Sequence, residues 1–523
     1  MINFVYPSID FNHSTNKIVN YIKMMKERDL AKRLIKRASP PEKHVQLTKY
    51  KTLRNRVVAS LRGDKKNMAD KELKKGTNVW RIADKIMGKN KQSELPLEVN
   101  GQPLINDQEK EDTMNQFFID KVDSLLDKIE VHKARDPLAK MREKLAGKNL
   151  KFDFHHMSTK EVETILRRMK NSQSSGPDDI SSTLIRPVIK IIAPALTKVI
   201  NRSLAEGIFP SVYKCAKVIP VYKNKGSKAD PGNYRPIANL PIFGKCQEIA
   251  IDLQLRKHCE HHGLFGAQQH GFRKSRSTNT ALLTLRTRIR NNNKTRFRGL
   301  LLYDLSAAYD VLSPDIFLEK ARLIGIRGNS LLWFKSYLSN RSQVVQVNQA
   351  ISHPLQLKVG TPQGGSCSCL VFALFVGDVQ HWIDDGLVIS YADDTGVLVE
   401  ADTLDELRFK LKTEGEKILS FFASNRLIAN PSKTGLLVFR PKMRRSEEDP
   451  VSIDLGGERI TESEEQRILG VIVRGDLKWT SQSEKVRGEC QYRQSILRRL
   501  RNALSRQQLK TISEGLIMSK IRY

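Results

Sequence analysis

Residues 390–395 read Ser-Tyr-Ala-Asp-Asp-Thr, with two adjacent carboxylates between apolar neighbours. Short aliphatic runs flank it at residues 387–389 and 397–399, and such runs are typical of buried strands. The acidic pair Asp393-Asp394 is therefore predicted to lie in the turn of a hairpin. Unpaired carboxylates between core strands are costly. The pair is either a solvated hairpin tip or a site where a divalent cation removes that cost.

A further acidic residue, Asp304, ends the apolar run at residues 300–303. If that strand pairs beside the hairpin, three carboxylates converge. Hard cations prefer oxygen ligands, and Mg²⁺ is usually held by one or two carboxylates together with substrate phosphates. Two such ions about 3.5–4 Å apart can stabilise both the attacking and the leaving oxygen of a phosphoryl displacement. The pattern therefore predicts nucleotidyl transfer.

The chain is strongly basic: 89 Lys and Arg residues stand against 57 Asp and Glu, a formal net charge of +32 over 523 residues. Such an excess favours a polyanionic partner, with nucleic acid the first candidate and an anionic membrane the competing one. No apolar stretch approaches the roughly 18 residues of a spanning helix, and the N-terminus lacks a signal-peptide pattern. The six cysteines fit neither a zinc site nor a disulfide framework. We therefore expect an intracellular protein with no membrane partner.

The length allows roughly two to four domains. We predict a basic helical extension and linker over residues 1–150, because Lys and Arg occur on most faces of its helical patterns. Mixed strand and helix patterns predict an α+β unit over residues 151–475, with its core at about 203–473. A basic helical segment then covers residues 476–523, and we expect it to be incomplete because the chain stops at Tyr523 inside a helical pattern.

Four stretches, taken together, resemble the motifs of reverse transcriptases from non-LTR (LINE-type) retrotransposons. They are residues 303–310 (Tyr-Asp-Leu-Ser-Ala-Ala-Tyr-Asp), 360–366 (Gly-Thr-Pro-Gln-Gly-Gly-Ser), 391–394 (Tyr-Ala-Asp-Asp) and 430–434 (Asn-Pro-Ser-Lys-Thr). Supporting matches lie at residues 233–237, 270–278 and 468–471. Any one of these motifs alone is weak, whereas their joint order is specific.

The resemblance implies a right-hand polymerase with fingers, a palm built on an antiparallel sheet and a partial helical thumb, preceded by the basic helical extension. It implies an RNA-directed DNA polymerase that transfers dNTPs to a primer 3′-hydroxyl on an RNA template, using two Mg²⁺ ions, with Mn²⁺ as an alternative. The implied partners are an RNA template, a DNA primer, dNTPs and chromosomal target DNA. The implied location is the nucleus, with the cytoplasm used during particle assembly.

The resemblance also assigns the residues at the reacting centre. Asp304 and Asp393 are expected to be direct metal ligands, with Asp394 in the same site and the backbone carbonyl of Leu305 as a further ligand. Lys433 is a candidate proton donor to the pyrophosphate leaving group, and the alternative is a surface loop lysine.

The nucleotide is expected to meet one aromatic ring and several cations. Tyr309 lies five residues after Asp304, where a ring would exclude a 2′-hydroxyl; the alternative is a packing ring. Lys217, Lys223 and Arg235 are candidates for the triphosphate, because cationic side chains stabilise transferring phosphoryl groups. Each of them is alternatively a solvated charge at a strand edge.

The glycine-rich turn is expected to approach the nucleotide and the base pair closely. Gln363 and Gly364 are assigned to the nucleotide, and Gly360 and Gly365 to the nucleic acid, since glycine permits close backbone approach. Asp310 is expected to be a structural turn or capping acid rather than a ligand. The remaining candidates for nucleic-acid contact are Arg273, Lys274 and Arg276.

Two other functions stay open at this point. A viral-type RNA-dependent RNA polymerase usually has Gly-Asp-Asp at the hairpin and an acid five residues after the first Asp, whereas this chain has Ala392 and Tyr309 there. A degenerate or domesticated copy would bind RNA without polymerase activity. The retained carboxylates and glycine turn argue against that loss.

Overall fold

The computed structural model describes residues 15–74, 79–87, 95–99, 102–129, 134–290, 296–348, 350–430, 433–441 and 450–523. Contacts divide the chain into two units, Met1–Gln92 with Thr480–Tyr523, and Ser93–Trp479. Residues 93–150, which the sequence assigned to the N-terminal extension, therefore group with the second unit. The functional domain boundaries stay predictions.

The helices of the described residues are, in chain order, α1 (Thr15–Ile35), α2 (Pro40–Lys74), α3 (Val79–Ile86), α4 (Asp107–Leu126), α5 (Ala139–Leu145), α6 (Thr159–Arg168), α7 (Ser182–Ile185), α8 (Ile189–Glu206), α9 (Ile242–His261), α10 (Thr278–Arg290), α11 (Pro314–Leu323), α12 (Gly328–Leu338), α13 (Ser366–Phe375), α14 (Leu404–Ser424), α15 (Thr480–Leu500), α16 (Arg506–Ser513) and α17 (Ser519–Arg522). The strands are β1 (Glu98–Val99), β2 (Gln102–Pro103), β3 (Cys215–Tyr222), β4 (Tyr234–Asn239), β5 (Phe297–Tyr303), β6 (Arg341–Val347), β7 (Ala350–Ile351), β8 (Leu355–Leu357), β9 (Leu387–Tyr391), β10 (Asp394–Ala401), β11 (Gly435–Phe439), β12 (Ser452–Leu455), β13 (Glu458–Thr461), β14 (Glu465–Ile468) and β15 (Val471–Arg474).

The first unit is helical throughout its described residues and joins the two ends of the chain in one core. Small and aliphatic side chains of α2 and α3 pack against those of α15 and α16. The core residues are Ala69, Ile82, Ala83, Ile86, Leu500, Ala503, Leu504 and Ile512. Helix α16 begins with a capping box, in which Ser505 and Gln508 satisfy each other's backbone N–H groups. The segments before and after the second unit therefore stabilise each other.

Two sheets organise the second unit. One is a four-stranded antiparallel sheet in the order β11-β5-β10-β9. The other has the order β4-β3-β6-β7, with β8 also paired to β6 and with β3 parallel to β6. Strands β5, β10 and β11 are buried along almost their whole length, which is why they read as unbroken apolar runs. The predicted α+β class with an antiparallel sheet is confirmed.

Helix α14 covers one face of the four-stranded sheet. Its apolar positions Leu407, Leu411, Ile418 and Phe421 are fully buried, and they recur at the spacing of one helix face. Thr403 caps its first turn by accepting a hydrogen bond from the Glu406 N–H. Packing of this helix therefore fixes the position of the sheet. None of the described helices combines the length and apolar character needed to cross a bilayer.

Candidate functional site

The register of β5 and β10 brings two of the predicted acids side by side. Thr395 pairs with Tyr303 in this antiparallel ladder, so the next position along places Asp394 across from Asp304. Side chains directly opposite each other in such a pair have Cβ atoms about 4.5–5.5 Å apart. The expectation that the strand ending at Asp304 lies beside the hairpin is thus met by the structure.

The third acid lies in the hairpin turn itself. Asp394 pairs with Tyr391, which leaves Ala392 and Asp393 as a two-residue turn. Ala392 adopts a left-handed backbone with φ of 57°, a conformation that short hairpin turns commonly require. The turn thereby places Asp393 next to the strand-end pair of acids.

A neighbouring segment clamps this turn from the outer edge of β9. The Ser390 N–H donates to the Gln268 carbonyl at 3.1 Å, and the His270 N–H donates to the Ser390 carbonyl at 2.8 Å. A Cβ at residue 271 would lie 2.3 Å from the Ala392 nitrogen, so only glycine fits there. The amide oxygen of Gln269 accepts from the N–H groups of Gly271 and Ala392 at 2.8 and 3.3 Å.

The carboxyls of Asp393 and Asp394 are both disfavoured as charged groups. Partial desolvation and the neighbouring negative charges of Asp393 and Asp304 together raise the pKa of Asp394 to about 6, although its side chain is exposed to solvent. Burial likewise raises the pKa of Asp393, with Asp304 adding to the rise and Arg235 opposing it. Repelling carboxylates of this kind are a marker of a functional site, and a divalent cation would relieve the repulsion.

Without a metal, the Asp394 carboxyl is expected to make stability depend on pH. Its pKa is higher in the folded chain than in the unfolded one, so its contribution to stability is lost as the pH rises through about 6. In EDTA, the Asp394→Asn variant should therefore have a higher melting temperature than the wild type at pH 7.5 and a similar one at pH 4.5. Differential scanning fluorimetry across that range checks this, with the exposed Asp405→Asn as control. An equal difference at both pH values would contradict it.

Asp304 is held by Lys433. The Lys433 ammonium lies 2.8 Å from Oδ2 of Asp304, and the two side chains are 57% and 49% exposed. The backbone supports this contact, because the Asn430 N–H donates to the Asp304 carbonyl at 3.0 Å. The structure thus brings Lys433 to the predicted reacting centre. Pro431 and Ser432 of the same motif lie outside the described residues.

No group of three or more His, Cys, Asp or Glu side chains in the described ranges is arranged to hold a metal ion. Asp304 is instead paired with Lys433. The donor set still fits a hard divalent cation, since all the candidate side-chain ligands are carboxylate oxygens. The raised pKa values of Asp393 and Asp394 show that their negative charges are disfavoured, and a bound cation would offset this. Leu305 lies opposite Ala429 in an isolated bridge, and the ligand role of its carbonyl stays a prediction.

An open cleft of about 310 Å³ adjoins this site. Its lining includes Asp304, Asp394 and Lys433 together with residues 466–470. Part of the predicted motif at residues 468–471 therefore shares this cleft with two of the acids.

Tyr309 lies between two phenylalanines near the acids. Its ring stacks on Phe372 with centroids 4.6 Å apart and meets Phe272 edge-on at 6.5 Å. Its hydroxyl is buried and has no hydrogen-bond partner among the described residues. Burial raises the pKa of this hydroxyl, and Cys369 and Asp393 raise it further. The stacking supports the role of a packing ring. The effect of Asp393 shows that the ring also lies near the acids, as the predicted contact with a nucleotide requires.

The glycine turn links the Tyr309 loop to β4. The Thr361 N–H donates to the Tyr309 carbonyl at 2.8 Å, and the Ala238 N–H donates to the Gln363 carbonyl at 2.9 Å. Gly360 has φ of 90°, and a Cβ there would lie 2.5 Å from the Asp310 carbonyl oxygen. Of the other two glycines, Gly364 is exposed and Gly365 is buried.

The three cations assigned to the triphosphate differ in availability. Lys217 is only 5% exposed, and its ammonium lies 2.6 Å from Asp179. Lys223 donates to the Gly232 carbonyl at 2.6 Å. Arg235 is exposed and close enough to Asp393 to lower that carboxyl's pKa. Arg235 is therefore the cation best placed for a phosphate, and the roles of all three stay predictions.

A basic cluster forms around Lys223. Desolvation lowers the pKa of its ammonium, and the positive charges of Lys121, Arg235, Lys225 and Lys433 lower it further. The positive charges of the β3–β4 hairpin and of Lys433 therefore act on one another. Their combined positive potential favours a polyanionic ligand such as a triphosphate.

The three basic residues assigned to nucleic acid also differ. Arg273 is paired with Glu260 at 2.7 Å and lies over the Phe265 ring at 5.1 Å. Lys274 and Arg276 are exposed. Arg273 is thus held by protein contacts, whereas the other two are accessible to a backbone phosphate.

The sequence did not point to several residues that support the site. Gln269 holds the hairpin turn, and Phe372 stacks on Tyr309. Glu248 is fully buried and accepts from the Cys367 N–H at 3.2 Å at the start of α13. Their local patterns resemble ordinary loop or core positions, so no signal in the sequence alone marks them.

The site therefore combines an antiparallel sheet with acids at neighbouring strand ends, an acidic hairpin turn and a glycine turn, the arrangement that the sequence predicted for nucleotidyl transfer. Residues 223–473 match the family model described as reverse transcriptase (RNA-dependent DNA polymerase). This part of the chain is thus similar to reverse transcriptase domains. Domains of this family generally use divalent metal ions.

Similar proteins come from non-LTR retrotransposons. The chain is 24% identical over 334 residues to the putative 115 kDa protein in the type-1 retrotransposable element R1DM of Drosophila melanogaster, covering 62% of this chain and 31% of that protein. It is 25% identical over 365 residues to the probable RNA-directed DNA polymerase from transposon BS of the same species, covering 67% of this chain and 39% of that protein. It is 26% identical over 264 residues to the RNA-directed DNA polymerase from the mobile element jockey of Drosophila melanogaster, covering 47% of this chain and 28% of that protein.

These similarities confirm the resemblance to proteins of non-LTR retrotransposons that the motifs predicted. The chain spans about a third of the length of the curated relatives it matches, with 31%, 39% and 28% of them covered.

Proposed function

We propose that this chain is an active RNA-directed DNA polymerase that adds dNTPs to a primer 3′-hydroxyl on an RNA template. The observation that carries the proposal is the register of β5 and β10, which sets Asp304 across from Asp394 beside the Asp393 turn. Asp304, Asp393 and Asp394 would hold two divalent cations, for which we propose Mg²⁺ with Mn²⁺ as a substitute. Bound there, such ions activate the attacking hydroxyl and stabilise the leaving oxygen.

The protein's own side chains would orient the substrates. Arg235 is placed to bind the triphosphate, because it is exposed and its charge reaches Asp393. Lys433 holds Asp304 at 2.8 Å in the free chain and would move its ammonium to the leaving pyrophosphate, where it can donate a proton. The Tyr309 ring would lie under the sugar and exclude a ribonucleotide.

The subdomains of a right hand can be assigned on this basis. We propose that the sheet containing β3 and β4 forms the fingers, because its hairpin carries the triphosphate cations. The four-stranded sheet would be the palm, because it carries the acids. Helices from Thr480 onward would begin the thumb.

We also propose where the activity is used. The similarity to retrotransposon proteins favours insertion at chromosomal target DNA, and hence a nuclear site of action with a cytoplasmic stage during particle assembly. Fractionation of cells that express a tagged chain tests this location.

A primer-extension assay tests the proposed activity. Purified chain, poly(rA) template, oligo(dT) primer and dTTP with Mg²⁺ or Mn²⁺ should yield extended primer, and UTP in place of dTTP should yield far less. If RNA is bound in a filter assay but no dTTP is incorporated with either ion, the chain is an RNA-binding protein without polymerase activity. Preferential use of UTP would instead favour the RNA polymerase alternative.

A groove on the C-terminal helices is proposed to bind backbone phosphates of the template and primer. Its cations are Arg498, Arg501, Arg506 and Lys510, and the groove encloses about 850 Å³ of open space. In the part of the chain that the structure describes, none of these four has an acidic partner within ion-pair distance. Phosphate contacts dominate sequence-independent affinity, so such a groove suits any template.

The salt dependence of binding checks this groove. Replacing Arg498, Arg501 and Arg506 by Gln should weaken binding to an RNA–DNA duplex and reduce the slope of log K against log salt by about one per lost contact. The matched control replaces Arg142, Arg202 and Arg408, which pair with Asp136, Glu206 and Asp405. Equal slopes in the two triple variants would show that only net charge matters.

A further inference from the structure

The side chain of Gln269 contacts the backbone of the acidic turn formed by Ala392 and Asp393. Its amide oxygen accepts hydrogen bonds from the N–H groups of Gly271 at 2.8 Å and Ala392 at 3.3 Å. Both partners are N–H donors, so the amide oxygen rather than the NH₂ group faces the turn. Gln269 is 4% exposed, and solvent therefore has little access to this contact.

The Ala392 N–H group needs a partner from outside the hairpin. The ladder of β9 and β10 ends with the pair Tyr391 and Asp394 and leaves Ala392 outside it. Ala392 also has a left-handed backbone, with φ of 57°. A residue other than glycine keeps such a conformation only where its surroundings hold it. The Gln269 oxygen satisfies this N–H group and thereby favours the conformation that the turn requires.

The residue next to Gln269 anchors this contact to two other elements. The His270 N–H donates to the Ser390 carbonyl of β9 at 2.8 Å. The His270 ring nitrogen Nδ1 lies 2.8 Å from the hydroxyl of Thr280, in the first turn of α10. The Gln269 oxygen therefore holds the turn from a backbone that is itself attached to β9 and α10.

The position of the Asp393 carboxylate depends on the Ala392 backbone. Asp393 directly follows Ala392, so a rotation at Ala392 would displace the carboxylate relative to Asp304 and Asp394. Glutamine suits position 269 because its oxygen accepts a hydrogen bond without carrying a charge. A carboxylate there would add a negative charge near acids whose pKa values are already raised. An alkyl side chain would leave the buried Ala392 N–H without this acceptor.

We propose that Gln269 is a positioning residue, which holds the Ala392 N–H and thereby orients Asp393 for the divalent cations that the three acids would share. The proposal rests on the proposed polymerase function. Replacing a residue that orients a metal ligand typically lowers metal affinity or activity by about 10- to 100-fold. Loss of the Gln269 oxygen should therefore weaken the use of the metal while every metal-binding side chain is still present.

The first test replaces Gln269 by Met, which keeps the length of the side chain but lacks the amide oxygen. On poly(rA)/oligo(dT), Gln269→Met should lower kcat for dTTP and raise the Mg²⁺ concentration for half-maximal activity, each by about 10- to 100-fold. The KM for dTTP at saturating Mg²⁺ should stay close to the wild-type value. Gln269→Glu restores an oxygen acceptor for the Ala392 N–H and should bring the Mg²⁺ requirement back towards that of the wild type.

Gln254→Met is the matched control. Gln254 is 7% exposed, and its amide oxygen accepts from the His155 N–H at 3.0 Å. This substitution also removes a buried acceptor from a backbone N–H, but His155 lies in the segment before α6 and not in the acidic turn. Gln254→Met should therefore lower the melting temperature as Gln269→Met does, and should leave kcat and the Mg²⁺ requirement unchanged.

Hydrogen exchange in EDTA tests the contact without metal or activity. In peptides that cover residues 388–394, the Ala392 amide should exchange faster in Gln269→Met than in the wild type or in Gln254→Met. Unchanged exchange at Ala392, or an unchanged Mg²⁺ requirement in Gln269→Met, would overturn the proposal and leave the polymerase function intact. A wild type that incorporates no dTTP with either ion would overturn the polymerase function and this role together.

Discussion

Replacing Asp393 by Asn is expected to lower kcat/KM for dTTP incorporation by at least about 10³-fold, which corresponds to about 4 kcal/mol of transition-state stabilisation. Asp393 lies in the two-residue turn beside the paired ends of β5 and β10. An amide at this position keeps the shape of the side chain but removes a negative oxygen ligand. The loss should therefore fall on the chemical step and not on the fold.

The melting temperature separates these two effects. Asp393 and Asp394 repel each other, so Asp393→Asn should melt no lower than the wild type in EDTA. Asp405→Asn provides a matched control, since Asp405 is exposed and pairs only with Arg408 on the surface of α14. Activity within twofold of the wild type for Asp393→Asn would contradict the assigned site. A large fall in melting temperature would instead attribute the loss to misfolding.

The second large effect is expected at Tyr309. In the Tyr309→Val variant, the ratio of kcat/KM for dUTP to that for UTP should fall by about 100-fold. The two nucleotides differ only in the 2′-hydroxyl, which the ring would exclude. The ring is held in place by stacking on Phe372 at 4.6 Å and by the edge of Phe272. A smaller side chain leaves space for the extra oxygen, while dUTP should still be used.

Tyr309→Phe is the control that tests the mechanism. The Tyr309 hydroxyl is buried and has no hydrogen-bond partner among the described residues, so its removal costs nothing and should leave the melting temperature equal or higher. Discrimination should stay at the wild-type level, since the ring remains. Steady-state incorporation of dUTP and UTP on poly(rA) measures both variants. Loss of discrimination in Tyr309→Phe would assign the effect to the hydroxyl and contradict steric exclusion.

Much of the four-stranded sheet was predictable from local sequence patterns. The apolar runs around residues 300–303 and 387–399 predicted strands, and the structure has β5, β9 and β10 there. The capping pattern at Ser158 predicted the start of α6, and both hydrogen bonds of that capping box are present. These features depend on neighbours within a few residues, which is why the sequence displays them directly.

The availability of individual cations was not predictable in this way. Lys217 and Lys223 belong to one alternating strand pattern, yet Lys217 is buried against Asp179 and Lys223 belongs to the basic cluster at the cleft. The contact to Asp179 joins residues 38 apart in the sequence. The pairing with Asp179 makes the Lys217 ammonium unavailable to a ligand, and this pairing cannot be read from the local pattern.

The resemblance to reverse transcriptases, the acidic turn and the chemistry that hard oxygen ligands permit could be read from short ordered motifs in the sequence. Three further features appear only in the folded chain. Strand register set Asp304 across from Asp394, the hydrogen bond to Gln363 gave Asp310 a partner in another motif, and the two ends of the chain formed one core. Each of these depends on residues far apart in the chain, whose approach is fixed by packing and hydrogen bonding rather than by any local pattern.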